Sequence, residues 1–239
     1  MRSEFDELYN ALFANADLYI NVVKSMAGHH EGMSRDEIAK ATGVSGGTLT
    51  RVLTNLERCD FIARSRNFGQ KSKDTIYRLV DFYTLFYYKF IMQDTAGDEQ
   101  WWSHNFESRA VSVWQGLTFE TVCLMHTDCI KRALGISGMA TEISAWRKTA
   151  GEGEKGGQID LIIKHADRII HLCEMKFSKS EYRITDAYEQ LLRERLELFQ
   201  SSTKTTFSLV ITFVTTYGVA DGLHHSLVHS EVTKEQLFN

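Results

Sequence analysis

Three charged residues, Asp160, Glu174 and Lys176, have types and a spacing that could do metal-dependent chemistry. Asp160 lies in the apolar run Gln158–Ile163, and the other two lie in the apolar run Ile169–Phe177. The short polar stretch between the two runs is typical of the turn of an antiparallel hairpin. The sequence therefore predicts a hairpin that carries two carboxylates and one ammonium group on neighbouring strands.

The period of a strand predicts where these charges point. Side chains alternate faces, so Asp160 is expected beside Ile162, and Glu174 and Lys176 beside Leu172. If the turn centres on Asp167, Asp160 lies opposite Glu174, with Cβ atoms about 5 Å apart. Two carboxylates at this distance repel each other unless a cation compensates them. Mg²⁺, or Mn²⁺, fits because it takes oxygen ligands from one or two carboxylates and keeps several waters.

Other residues can complete or replace this site. A helix over Leu117–Leu134 half-buries Glu120, which we expect as a third acidic ligand, and Gln158 and Gln190 are candidates for support around the ligands. An alternative interpretation is a buried ion-paired triad that holds no metal, because a short D…E-x-K pattern also arises by chance. His225 and His229 have the i, i+4 spacing of helical metal ligands, but the sequence around His224–Val232 favours a strand over a helix.

Upstream, the sequence predicts a winged helix-turn-helix. Ser34–Glu37 is a capping box that begins a helix, Thr42–Gly47 is a glycine turn, and Thr48–Cys59 is a second amphipathic helix. The runs Phe61–Arg66 and Thr75–Leu79 predict the hairpin of the wing.

The segment Ser34–Arg78 contains nine Lys and Arg against five Asp and Glu, in a chain whose net charge is −4. A basic island in an acidic chain indicates contact with a polyanion, here DNA. The residues expected in a major groove are Thr48, Thr50, Arg51 and Asn55. Those expected on phosphates are Arg64, Arg66, Lys71 and Lys73. The same fold also serves as a dimerisation or packing module, so the pattern alone leaves both roles open.

The 239 residues suffice for two modest domains, which we predict as residues 1–95, a helical lead-in with the winged helix, and residues 96–239. The four cysteines have no zinc spacing, and no run reaches the length of a membrane span. We therefore expect a cytoplasmic protein with no membrane contact. The predicted fold class is α/β, α+β overall, in which a mixed sheet flanked by helices follows the winged helix.

The order from Leu117 of helix, three strands, helix and strand, with Asp160, Glu174 and Lys176 on adjacent strands, resembles the restriction-endonuclease-like PD-(D/E)XK superfamily. The resemblance implies that these residues and Glu120 form a Mg²⁺-dependent nuclease site. Ile159 stands where the proline of the motif is expected.

Almost the whole chain also resembles the C-terminal part of prokaryotic ATPases in which a P-loop domain precedes a winged helix and a nuclease-like domain. Matching phrases include Gly116–Glu120, Gln158–Leu161 and Cys173–Phe177. No P-loop motif occurs in this sequence, so an ATPase domain is expected only in a longer chain or as a partner. The function expected from these observations is a DNA phosphodiesterase positioned by its winged helix. The alternative is a non-catalytic DNA-binding or partner-binding regulatory module with a retained nuclease fold.

Overall fold

The computed structural model describes residues 2–69, 75–93, 97–151, 153 and 155–238. The chain forms two compact units. Unit 1 comprises Met1–Arg66 and Lys71–Ser108, and unit 2 comprises Asn67–Gln70 and Arg109–Asn239. The predicted division between residues 95 and 96 precedes this one. No helix in the described ranges has both the length and the apolar character needed to cross a membrane.

Unit 1 contains a winged helix built on two leading helices. Its elements are α1 (Arg2–Leu12), α2 (Ala16–Met26), β1 (Met33–Ser34), α3 (Arg35–Thr42), α4 (Gly46–Arg58), β2 (Ile62–Arg66), β3 (Thr75–Leu79), α5 (Phe82–Phe86), a π-helical turn (Tyr87–Ile91) and α6 (Trp101–Asn105). The strands pair antiparallel in the order β1-β3-β2. The two-residue strand β1 is too short to leave a periodic signal and was not predicted.

The start of the winged helix follows from its capping chemistry. Ser34 accepts a hydrogen bond from the backbone of Glu37, whose side chain accepts one from the backbone of Ser34, so α3 has the predicted capping box. It ends at Gly43, which has a φ of 71°, a conformation that glycine adopts without strain. The turn that follows delivers the chain to α4, which confirms the predicted helix-turn-helix.

One apolar core holds these elements together. The buried side chains of Leu49, Val52, Leu53 and Leu56 lie on one face of α4 and pack in the same cluster as Phe5 and Tyr9 of α1, Val22 and Val23 of α2, and Ile38 of α3. The phenol of Tyr9 is 3.0 Å from the hydroxyl of Thr84, so its polar end is satisfied inside the core. The apolar face of α4 is thus fixed, and its other face is exposed.

Unit 2 is a mixed sheet with helices on both faces. Its elements are α7 (Arg109–Met125), α8 (Thr127–Ala133), β4 (Thr141–Lys148), β5 (Gly157–His165), β6 (Ile169–Lys176), α9 (Asp186–Thr203), β7 (Ser208–Thr215), a 3₁₀ turn (His225–Leu227), β8 (Val228–Thr233) and α10 (Lys234–Leu237). The strand order is β4-β5-β6-β7-β8, antiparallel as far as β6 and parallel beyond it. The predicted α+β class is confirmed.

The two faces of the sheet have separate cores. Leu161 of β5 and Cys173 of β6 pack with Phe119 and Cys123 of α7. Ile162 of β5 and Leu172 of β6 belong to a second cluster with Phe199 of α9. The residues of β6 that have even numbers, including Glu174 and Lys176, therefore face α9.

Two details differ from the predicted elements. The expected helix Leu117–Leu134 is interrupted at His126, whose φ of −110° and ψ of 30° lie outside the helical range, so α7 and α8 are separate. The pairing of β4 with β5 shifts by one residue, because Ser144 lies opposite Ile162 and Trp146 opposite Ile159. This β-bulge breaks the alternation at Asp160, so its face cannot be counted from Ile162.

Candidate functional site

The exposed face of α4 presents the side chains predicted to read DNA. Thr48 and Arg51 are exposed and lie one helical turn apart near the start of the helix. Thr50 is also exposed, but its hydroxyl accepts a 3.0 Å hydrogen bond from Arg35 and is 3.2 Å from the carbonyl of Gly46. Arg35 thereby ties the start of α3 to the start of α4, and Arg51 is the cation of this face that extends into solvent.

Asn55 has a different environment from the one predicted. It is half-buried, and its amide donates a 2.8 Å hydrogen bond to the phenol oxygen of Tyr19 on α2. This hydrogen bond joins α4 to α2, and the predicted major-groove role of Asn55 stays a prediction.

Two of the residues predicted to contact phosphates, Arg64 and Arg66, lie on β2. Arg64 is exposed and forms a 2.6 Å ion pair with Glu57 of α4, whereas Arg66 is exposed at the end of β2. Lys71 and Lys73 lie outside the described residues. A surface ion pair contributes roughly 0 to 1 kcal/mol, so Arg64 remains able to exchange its partner.

In unit 2, Glu174 is the centre of a polar network. Its carboxylate, which is 7% exposed, accepts a hydrogen bond from Arg195 at Oε1 and a 2.7 Å hydrogen bond from the Tyr188 phenol at Oε2. The Nζ atom of Lys176 lies 3.6 Å from Oε2 and 5.1 Å from the Tyr188 ring centroid. Burial of a carboxylate requires such compensation, and α9 supplies two of the three partners.

The network fixes the protonation states of its members. Burial raises the pKa of the Tyr188 phenol, and the neighbouring Glu174 carboxylate raises it further, so Tyr188 stays a donor. Burial lowers the pKa of Arg195, but the charge and hydrogen bond of Glu174, together with the charges of Tyr188 and Asp160, outweigh burial and raise the pKa. The Arg195 guanidinium is therefore a permanent cation beside Glu174.

Asp160 contributes to the same electrostatic environment. The amide of Gln158 donates a 2.8 Å hydrogen bond to its Oδ1 atom. The Asp160 carboxylate also acts on Arg195, whose pKa it raises in addition to the effect of Glu174. The regular pairing of β5 with β6 reaches Leu161–Cys173, the neighbours of Asp160 and Glu174 along their strands, and the direct pairing of the two carboxylates stays a prediction.

Glu120 has a different setting from Glu174. It lies on α7, between Phe119 and Cys123, whose side chains pack on the side of the sheet opposite α9. Burial raises the pKa of the Cys123 thiol, and the charges of Cys173 and Glu120 add to that rise, which places Glu120 close to this thiol. Its predicted role as a metal ligand stays a prediction.

A divalent cation needs carboxylate, imidazole or thiolate ligands that converge on one point. Within residues 2–69, 75–93, 97–151, 153 and 155–238, no group of three or more His, Cys, Asp or Glu side chains is arranged to hold a metal ion. Both oxygens of Glu174 already bind protein donors, and Arg195 supplies the compensating charge that the sequence interpretation assigned to a metal. As arranged here, these residues do not fit a bound Mg²⁺ or Mn²⁺.

The remaining sequence candidates lie elsewhere. Gln190 is exposed on α9 and donates a 3.1 Å hydrogen bond to Glu194, so it does not support Asp160 or Glu174. His225 begins a 3₁₀ turn and pairs with Glu231 at 2.8 Å, and His229 lies in β8. His229 thus lies in the predicted strand, whereas His225 lies in a 3₁₀ turn, so the two do not form a helical i, i+4 pair.

Comparison with known families bears on unit 1. Residues 25–69 match the model described as the MarR family. The match runs from the end of α2 to just beyond β2, and it supports a winged-helix DNA-binding module over these elements. No curated protein and no solved structure matches the chain.

The MarR-like segment contains all four residues predicted for the major groove, together with Arg64 and Arg66. The sequence did not reveal the role of Arg35, which holds the start of α4. In unit 2 it did not reveal the roles of Tyr188 and Arg195 of α9. The signal was an arginine on an otherwise apolar helix face, because such a charge needs a buried partner.

Proposed function

We propose that unit 1 binds duplex DNA, with the first half of α4 in the major groove. The observation that carries this proposal is the exposed pair Thr48 and Arg51 on a helix whose opposite face is fixed in the core of a MarR-like winged helix. Arginine donates two hydrogen bonds to guanine in the major groove, which no other base pair accepts in the same geometry. Arg51 is the residue we expect to read a base.

The strand side of the module supplies the charge. Arg66, and Arg64 when it leaves Glu57, are placed to contact phosphates beside the groove. Phosphate contacts give affinity without sequence information, and they make the affinity depend on salt. Unit 1 should therefore bind many duplexes weakly and a preferred sequence more tightly.

Fluorescence anisotropy with a selected duplex and a scrambled duplex tests this proposal over a range of salt. We expect Arg51→Ala to weaken binding to the selected duplex by about 1–3 kcal/mol, roughly 5- to 150-fold, and to leave the scrambled duplex almost unchanged. Arg66→Ala should weaken both duplexes alike and reduce the salt slope by about 1. Arg58→Ala, at the far end of α4, is the matched control.

Equal loss of both duplexes in Arg51→Ala would remove the base-reading role. An unmodified chain that binds neither duplex at low salt would contradict DNA binding and favour the alternative, a partner-binding regulatory module.

The second candidate function is a Mg²⁺- or Mn²⁺-dependent DNA phosphodiesterase in unit 2, associated with an ATPase domain in the same chain or a partner. It is supported by the positions of Asp160 and Glu174 beside the last pair of the β5–β6 ladder, Leu161–Cys173, by Lys176 beside Glu174, and by the resemblance to PD-(D/E)XK nucleases. The competing observation is the engagement of Glu174 by Arg195 and Tyr188.

Nicking of supercoiled plasmid in the presence of Mg²⁺ or Mn²⁺ tests this candidate. A nuclease requires cleavage that is lost in both Asp160→Ala and Lys176→Ala. Absence of cleavage with either ion, with DNA binding unchanged in both variants, eliminates it and leaves the DNA-binding proposal intact.

A further inference from the structure

Cations of the chain itself surround Glu174. Among the described residues, its carboxylate pairs with Lys176 and Arg195, and Asp160 acts on the same Arg195. Glu174 is buried, and the side chains of Arg195 and Lys176 are only 24% and 27% exposed. The requirement for a compensating cation is thus met by the chain itself.

We propose that Arg195 is the built-in cation of this group and keeps it closed to divalent metal ions. The inference concerns unit 2 and does not depend on DNA binding by unit 1. It bears on the second candidate function, because a metal-dependent reaction at Glu174 would first have to displace Arg195.

The first argument is occupancy of the donor atoms. Arg195 binds Oε1 of Glu174, and the Tyr188 phenol binds Oε2 at 2.7 Å. A metal ion at either oxygen would have to share that oxygen with one of these charge-assisted hydrogen bonds or displace its donor, and such bonds are about twice as strong as neutral ones. The freed Arg195 or Tyr188 would then need a new partner in a half-buried place.

The second argument is electrostatic. A divalent ion added to two carboxylates, one lysine and one arginine leaves an excess of two positive charges in a region shielded from water. Like charges close together in such a region destabilise each other strongly. Binding therefore becomes favourable only when a resident cation leaves, and Arg195 is the one bonded directly to the buried carboxylate.

The position of Arg195 is fixed by its helix. Arg195 lies in the middle of α9, whose first turn is capped by Thr185. Leu192 and Phe199 of the same helix are buried. Tyr188 and Arg195 are seven residues apart, which places them on one side of the helix two turns apart. Both donors are therefore delivered together when α9 packs, so the closed arrangement is part of the fold.

The experiment is a Mn²⁺ titration of the full chain followed by the electron paramagnetic resonance signal of free Mn²⁺. The variants are Arg195→Gln, which keeps a hydrogen-bond donor without charge, and Arg195→Lys, which keeps the charge. Arg193→Gln is the matched control. Arg193 is an exposed arginine of the same helix, and it pairs with Glu189 and not with Glu174. Asp160→Asn in each background identifies the site.

We expect the unmodified chain, Arg195→Lys and Arg193→Gln to show no Asp160-dependent binding. Arg195→Gln should bind Mn²⁺ with a Kd at least about tenfold lower than that of any residual binding by these chains. Asp160→Asn in the Arg195→Gln background should abolish this tighter binding. Asp160-dependent Mn²⁺ binding by the unmodified chain overturns the proposal. A folded Arg195→Gln chain that binds no better than the unmodified chain also overturns it.

Should Arg195→Gln fail to fold in metal-free buffer, circular dichroism with added Mn²⁺ replaces the titration. A ligand that binds only the native state shifts the equilibrium toward it, so recovery of structure that requires Asp160 supports the proposal. No recovery up to about 10 mM Mn²⁺ counts against it, because an opened two-carboxylate site would bind in this range.

Discussion

Arg51 of unit 1 and Arg195 of unit 2 both lie on amphipathic helices, but their surroundings differ. Arg51 lies on the side of α4 opposite its buried leucines and extends into solvent. Arg195 lies on the packed side of α9 and is bonded to a buried carboxylate. The guanidinium of an exposed arginine can donate hydrogen bonds to a ligand, whereas that of Arg195 already donates to Glu174. Arg51 is therefore more readily available for binding than Arg195.

The largest effect should come from breaking the buried network. Glu174→Ala leaves Arg195 without its partner, and loss of one member of a buried ion pair costs about 3–5 kcal/mol. Urea denaturation followed by tryptophan fluorescence measures this loss. Glu142→Ala, which breaks the exposed pair with Lys164, is the control and should cost less than about 1 kcal/mol. Equal effects of the two substitutions would show that the Glu174 network is not structural.

Acid should distinguish the units next. Burial, together with the charges of His165 and His229, lowers the pKa of His171 from 6.5 to about 4. The unfolded chain takes up the proton first, so stability is fully present above pH 6.5 and falls toward pH 4. At pH 5 this amounts to a loss of about 2 kcal/mol relative to neutral pH.

Urea midpoints at pH 7 and pH 5 measure this loss. The described histidines of unit 1, His29, His30 and His104, are exposed, so the acid-sensitive transition should belong to unit 2. His171→Leu should reduce the difference between the two pH values. An unchanged difference in this variant would assign the acid sensitivity to other groups.

A smaller effect should come from Asn55, a half-buried residue of α4. Asn55→Ala removes the hydrogen bond to Tyr19 and should reduce the stability of unit 1 by about 1 kcal/mol. Thermal denaturation checks this value. The preference for a selected over a scrambled duplex should be preserved, and loss of that preference would restore Asn55 to the base-reading surface.

The smallest expected effect concerns the ion pair of Arg64. Glu57→Gln frees Arg64 and removes a negative charge near the proposed DNA surface, so affinity at low salt should rise about two- to fivefold. The stability change should stay below about 1 kcal/mol, as for other exposed pairs. A fall in affinity would mean that Glu57 positions Arg64 for its phosphate.

Sequence reasoning succeeded where the signal is local. Ser34 and Glu37 contain the capping box within four positions, and the polar turn between β5 and β6 marks the hairpin that these strands form. It failed where a feature depends on distant partners. The bulge at Asp160 arises from pairing with β4, and the separation of α7 from α8 occurs at His126 without a glycine or proline to mark it.

The site depends in the same way on a distant partner. From the repulsion expected between Asp160 and Glu174, the sequence interpretation inferred a compensating cation, and its assignment to a metal stays a prediction. The cation was assigned to a metal because nothing near Glu174 in sequence identified Arg195, which lies on the next helix. A charge deficit can be detected from a short motif, but the group that compensates it depends on the packing of another element.

The contacts of Glu174 also affect how unit 2 folds. Tyr188 and Arg195 follow Glu174 by 14 and 21 residues, so these three members of the network lie in β6 and in α9, the helix that leads on to β7. Contacts between residues close in sequence form with a small loss of chain entropy. We expect β6, α9 and β7 to open as one cooperative unit in native-state hydrogen exchange, with amides of α9 and β6 sharing one opening free energy.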